Sequence, residues 1–125
     1  MTRPANVLLV EDDEAIADLY RVRLVKDGYD VAVARDGEEG LHMATSMHPD
    51  VIYLDLRLPK LDGLAVLREL RKDPDVAAVP VVILTNYEEA ELGSGGRGLG
   101  VERILLKSET TPGDLASLTA QLIHT

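Results

Sequence analysis

Residues 51–59 read Val51-Ile52-Tyr53-Leu54-Asp55-Leu56-Arg57-Leu58-Pro59. Four apolar residues in a row, without helical spacing, predict a strand buried on both faces. A carboxylate has no place inside such a strand, so Asp55 marks its end. Leu58-Pro59 makes a loop, and Asp62-Gly63 opens the next periodic stretch. Asp55 is thereby set at the carboxyl edge of a central strand, where open α/β sheets build their sites.

Outward from this strand the pattern repeats. Upstream, Val7-Leu8-Leu9-Val10 is a second buried run, and it stops abruptly at Glu11-Asp12-Asp13-Glu14. Ile16, Leu19, Tyr20 and Leu24 then predict an amphipathic helix ending at Asp27-Gly28. Val31 and Val33 begin a strand closed by Asp36-Gly37. Asp36 and Glu39 stand in capping-box positions for a helix with Leu41, Ala44 and Met47 inward, broken at His48-Pro49-Asp50.

Downstream, Val66, Leu67 and Leu70 give a third helix one apolar side. Val81-Val82-Ile83-Leu84 is a buried strand ending in Thr85-Asn86-Tyr87. Glu88 to Leu92 has room for a helical turn or two. Five glycines then fall between Gly93 and Gly100, each costing about 1 kcal/mol in a helix. This predicts the most mobile segment of the chain. Ile104-Leu105-Leu106 is the last strand, ended by Lys107. Thr111-Pro112-Gly113-Asp114 starts a last helix with Leu115, Leu118 and Leu122 inward.

Strands alternating with helices predict an α/β, doubly wound, five-stranded parallel sheet with helices on both faces. The expected strand order is the flavodoxin-like 2-1-3-4-5, in one domain spanning residues 1–125.

Composition narrows the function. Apolar residues make up 46%, but aromatics only 3%, with no Phe or Trp, so the core must be aliphatic. There is no Cys, which removes disulfides and thiolate metal sites and suits a reducing compartment. A formal charge of −9, from 22 acidic and 13 basic residues, argues against nucleic-acid binding. No apolar run approaches the roughly 20 residues of a spanning helix, and Met1 to Pro4 begins no secretory signal. A soluble cytoplasmic chain without membrane contact is expected.

A parallel sheet brings all its strand ends to one edge. There stand Glu11 and Asp12, then Asp55, Thr85 and Lys107. Each has an ordinary explanation taken alone: acids cap helices, a Thr fills a turn, a Lys is solvated. Taken together they are harder to explain so, because gathered carboxylates repel one another unless a cation is bound. Oxygen-only ligation suits Mg²⁺. His42, His48 and His124 lie away from this edge in sequence, which speaks against zinc.

This order of residues, with Pro59 and Asp62-Gly63 behind Asp55, resembles the receiver domain of two-component response regulators over essentially the whole chain. The resemblance implies that Asp55 accepts a phosphoryl group from a histidine kinase or histidine phosphotransfer protein. It implies that Glu11, Asp12, Asp55 and the Arg57 backbone carbonyl hold Mg²⁺, and that Thr85 and Lys107 contact the phosphoryl group. The output partner is a protein of unknown identity, with homodimerisation open. Apart from Mg²⁺-dependent self-phosphorylation and slow autodephosphorylation, such a chain is a switch and not an enzyme.

Four features depart from the family pattern: Ile104 in place of an aromatic, Ser108 in place of Pro, Asn86 in place of a small residue, and the Gly93–Gly100 segment. Arg57 and Tyr87 stand at positions that in receivers resemble gates on attacking water; otherwise they are plain surface residues. The alternative reading is a degenerate receiver acting as a phosphorylation-independent interaction or dimerisation module, disfavoured because every acid, the Thr and the Lys are present. A hydrolase working through an aspartyl phosphate would need a proton donor where Arg57 stands.

Overall fold

The computed structural model describes residues 4–86 and 100–123. Five strands and four α-helices follow one another in these residues: β1 (Asn6–Val10), α1 (Glu14–Lys26), β2 (Asp30–Ala34), α2 (Gly37–Met47), β3 (Val51–Leu54), α3 (Gly63–Lys72), β4 (Val81–Thr85), β5 (Val101–Leu106) and α4 (Pro112–Ile123). A short 3₁₀ turn, Lys107–Glu109, joins β5 to α4. All strands are parallel, in the order β2-β1-β3-β4-β5.

Strand alternation divides the core in two. Leu8, Val10, Ile52 and Leu54 face α2 and α3, where they meet Ala44, Val66, Leu67 and Leu70. Val7, Leu9, Val51 and Tyr53 face α1 and α4, against Tyr20, Leu24, Leu115 and Leu118. The run Val51–Leu54 is buried at every position, as a central strand with helices on both faces requires. β2 and β5 form the edges, and Ile104 on β5 is 37% exposed.

The helix starts follow the sequence. Asp13, Asp36 and Asp62 each accept a hydrogen bond from the backbone N–H three residues on, capping α1, α2 and α3. At α4 the pairing is reciprocal: Asp114 N–H donates to the Thr111 hydroxyl and Thr111 N–H donates to the Asp114 carboxylate, both at 3.0 Å.

Two expectations need correction. Leu19 does not belong to the buried side of α1; it is 62% exposed, and Ala17, Tyr20 and Leu24 face the sheet. Leu19 lies about 100° around the helix from Tyr20, on the solvent side of the apolar stripe that Ile16, Ala17, Tyr20 and Leu24 form. Val22 and Val25 are exposed beside it. The last strand also starts at Val101, earlier than its apolar run, because backbone pairing with β4 extends through Glu102 and Arg103 across a register shift. Glu88–Leu92, Tyr87 and His124 lie outside the described residues, as does the glycine-rich segment apart from Gly100, which has φ +73°.

Candidate functional site

Register sets the geometry of the carboxyl edge. Val10 pairs with Leu54, and Thr85 pairs with Leu106. The ladder runs one residue further, with Asp55 N–H donating to Val10 O at 3.1 Å and Glu11 N–H to Ala34 O at 2.9 Å. Glu11 and Asp55 thus end neighbouring strands side by side. Lys107, one residue past β5, returns its side chain over the same edge.

The Lys107 ammonium lies between the two acids, 2.7 Å from Asp55 Oδ2 and 2.6 Å from Glu11 Oε1. One carboxylate oxygen from each of Glu11, Asp12 and Asp55 falls within 4.8 Å of the others. Glu11 and Asp55 are each 5% exposed, while Asp12 is open to solvent. The other oxygens are anchored: Asp13 N–H donates to Glu11 Oε2, and Arg57 N–H to Asp55 Oδ1. Burial pushes the Glu11 carboxyl above its usual range, and the Lys107 contact only partly offsets this. For Lys107, burial works against the charged form, but the contacts with Asp55 and Glu11 outweigh it and hold the amine above its ordinary value.

Thr85 is fully buried, yet its Oγ1 has no hydrogen-bond partner among the described residues. Buried polar groups are rarely left so. Glu11 Oε1 has the Lys107 ammonium at 2.6 Å as its one neighbour of opposite charge among the described residues. An oxygen-only donor set of three clustered carboxylates, one of them open to solvent, suits a hard divalent cation such as Mg²⁺.

The loop after Asp55 is braced from below. Gly63 N–H donates to Leu56 O at 2.9 Å. A Cβ at Gly63 would stand 2.3 Å from the Asp55 carbonyl oxygen. Only glycine lets the start of α3 lie so close behind Asp55. On the far side of the loop, Lys60 adopts a left-handed φ of +68°, with its ammonium 3.5 Å from Asp36.

Glu11, Asp12, Asp55 and Lys107, singled out from sequence, are thus gathered in one place, with Thr85 on the adjoining strand end. Arg57 contributes its backbone N–H to Asp55, and its side chain is exposed. His42 is exposed on α2 and His48 ends that helix in a left-handed conformation, both away from the cluster. Tyr20 is a residue the sequence reading placed only in the core. Its hydroxyl donates to Thr110 O at 2.9 Å, next to the Lys107 turn. A polar aromatic in a chain without Phe or Trp was the available signal.

No helix among the described residues is long and apolar enough to cross a membrane. The response regulator receiver domain family matches residues 7–119. A DNA-binding dual master transcriptional regulator, RpaA of Synechocystis, is 39% identical over 120 residues, which is 96% of this chain and 50% of that protein. The chain spans about half the length of the curated relatives it matches. That relative's name is in tension with the expectation of no nucleic-acid contact drawn from the acidic charge. Among solved structures, the chemotaxis response regulator CheY4 of Vibrio cholerae superposes with a TM-score of 0.86 at 28% identity, covering 95% of this chain and 98% of that one. The Mn²⁺-bound form of response regulator Rcp1 does so with a TM-score of 0.81 at 28% identity, covering 98% and 96%. With the fold, the edge cluster and these similarities in agreement, the chain belongs to the receiver domains of two-component response regulators.

Proposed function

We propose that this chain works as a phosphoacceptor switch in which Asp55 takes the phosphoryl group. The observation that carries the reading is the Lys107 ammonium held between Asp55 and Glu11 at a strand edge that also holds the Thr85 hydroxyl, which has no partner among the described residues. A carboxylate oxygen of Asp55 attacks phosphorus as the donor's phosphorus–nitrogen bond breaks, and the departing imidazole keeps the electron pair and takes up a proton. The product is an acyl phosphate. The transition state is loose, so the protein's task is alignment and charge neutralisation. Lys107 supplies a fixed positive charge beside Asp55. Thr85 offers a hydroxyl that no described residue uses, and a phosphoryl oxygen gives it a partner.

Glu11, Asp12, Asp55 and the Arg57 carbonyl would hold Mg²⁺, which when bound neutralises charge on the acids and on the transferred group. The clustered oxygens of Glu11, Asp12 and Asp55 and the Mn²⁺ named for Rcp1 support this. The donor is a histidine kinase or histidine phosphotransfer protein, and the setting is cytoplasmic. Residues 1–125 act as one domain whose output passes through protein contact. The formal charge of −9 makes this segment a poor DNA-contacting surface, whatever the rest of a longer relative binds. All the edge residues being present leaves the phosphorylation-independent module without support.

The test is intact mass after incubation with acetyl phosphate and Mg²⁺. The wild type gains one phosphoryl group and Asp55→Asn gains none. A full mass shift in Asp55→Asn overturns the assignment.

A further inference from the structure

We infer that Tyr20 is a positioning residue for phosphoryl transfer, holding the Lys107 turn in place from α1; this rests on the role proposed above for Lys107. Tyr20 is 5% exposed and lies 90 residues from the carbonyl its hydroxyl meets, Thr110 O at 2.9 Å. The Thr110 hydroxyl in turn donates to Leu106 O at 2.8 Å, closing the segment between β5 and α4 on itself. Lys107 sits inside that closed segment. α1 starts directly after Glu11 and Asp12, and its cap residue Asp13 bonds Glu11 Oε2 through its N–H. One helix therefore fixes both sides of the site: its first residues set the acids, and Tyr20, further along, sets the turn bearing the amine.

The Lys stem is long and flexible, so an ammonium at 2.6–2.7 Å from two acids depends on where its Cα is held. Tyr20 shares the lining of a small cavity with Glu11 and Asp55, but its hydroxyl bonds the Thr110 carbonyl and neither acid. The effect assigned to it therefore runs through the turn that carries Lys107.

The experiment is a double-mutant cycle on phosphorylation rate with acetyl phosphate at saturating Mg²⁺, using wild type, Tyr20→Phe, Lys107→Ala and the double variant, each checked by thermal melting. Phe keeps the ring packing and removes only the bond. Tyr20→Phe should melt close to wild type and react about three- to tenfold more slowly. In the Lys107→Ala background the same substitution should change nothing. Thr110→Val, which opens the turn from its other side, should reproduce the slowing. A wild-type rate in Tyr20→Phe, or an equal loss in both backgrounds, overturns the inference while leaving the function of the site intact. A wild-type rate in Lys107→Ala removes the role of Lys107 itself and the inference with it.

Discussion

Thr85 Oγ1 is a buried hydroxyl without a partner among the described residues, at a position with 0% exposure. Such a group costs stability where nothing bonds it, and in the function proposed above a phosphoryl oxygen would supply its partner. Thr85→Val keeps the shape and removes the hydroxyl. It should leave the resting protein as stable as wild type or more so, by up to about 1 kcal/mol, while phosphorylation no longer changes the spectra of residues around β4. A clear loss of stability would mean that the hydroxyl has a partner at rest. Tyr53 makes the opposite case, a buried hydroxyl with its bonds made. It bonds the Leu115 carbonyl and the Thr119 hydroxyl, and burial, partly offset by Thr119, pushes it up to about 12. Below pH 10 folded and unfolded forms both keep the proton. Between pH 10 and about 12 the unfolded chain ionises first, so stability falls as pH rises through that window, by roughly 2–3 kcal/mol from this residue. Tyr53→Phe should flatten the alkaline limb of stability against pH. Burial also raises Tyr20 and Tyr29, so some slope should remain.

The loop from Asp55 to α3 shows how elements, and not single side chains, locate Asp55. A methyl at Gly63 would meet the Asp55 carbonyl oxygen at 2.3 Å and Leu56 Cα at 2.7 Å, both backbone atoms that cannot turn aside. Gly63→Ala should therefore cost about 1–3 kcal/mol and slow phosphorylation by shifting Asp55. Gly113→Ala is the control. Its Cβ would meet the flexible end of the Arg23 side chain at 3.3 Å and the Thr111 hydroxyl at an ordinary 3.7 Å, and Ala suits the first turn of α4, so stability should hold or rise in denaturant melts. Equal effects at the two sites would mean that close backbone approach is not what Gly63 serves. These contacts also mark what could be read in the sequence. The buried runs, the capping acids and the glycines after Asp27 and Asp36 were legible, because period and turn chemistry are local. So was the edge cluster, because parallel strands all end on one side. The exposure of Leu19 was not, since an apolar residue one step off the inward face looks the same in sequence as one on it. Nor was the Tyr20–Thr110 bond, which joins α1 to a turn 90 residues away, or the start of β5 at Val101, where backbone pairing outruns hydrophobic pattern.

For the molecule as a whole the governing fact is a net charge of −9 with three acids gathered at one edge. By charge alone that cluster would depend on a bound cation, but the Lys107 ammonium already contacts two of the three and offsets one of their charges. Two consequences can be separated by experiment. Any salt should raise the melting temperature somewhat by screening the overall charge. MgCl₂ should raise it further than NaCl at equal ionic strength, because ligand linkage adds stability only where a site binds the folded form. At a concentration 100 times its Kd this is about 2.7 kcal/mol, and chelation should reverse it. Asp12→Ala should abolish the Mg²⁺-specific part and keep the general salt response. Lys107→Ala should act in the other direction. Without its ammonium, Glu11 and Asp55 are buried acids lacking a counter-charge, a state that costs stability. The variant should melt lower than wild type in chelator and gain more from Mg²⁺, since the ion then relieves repulsion that the lysine would otherwise have relieved. A smaller Mg²⁺ gain in Lys107→Ala than in wild type would show that amine and divalent ion do not share one charge balance at this edge.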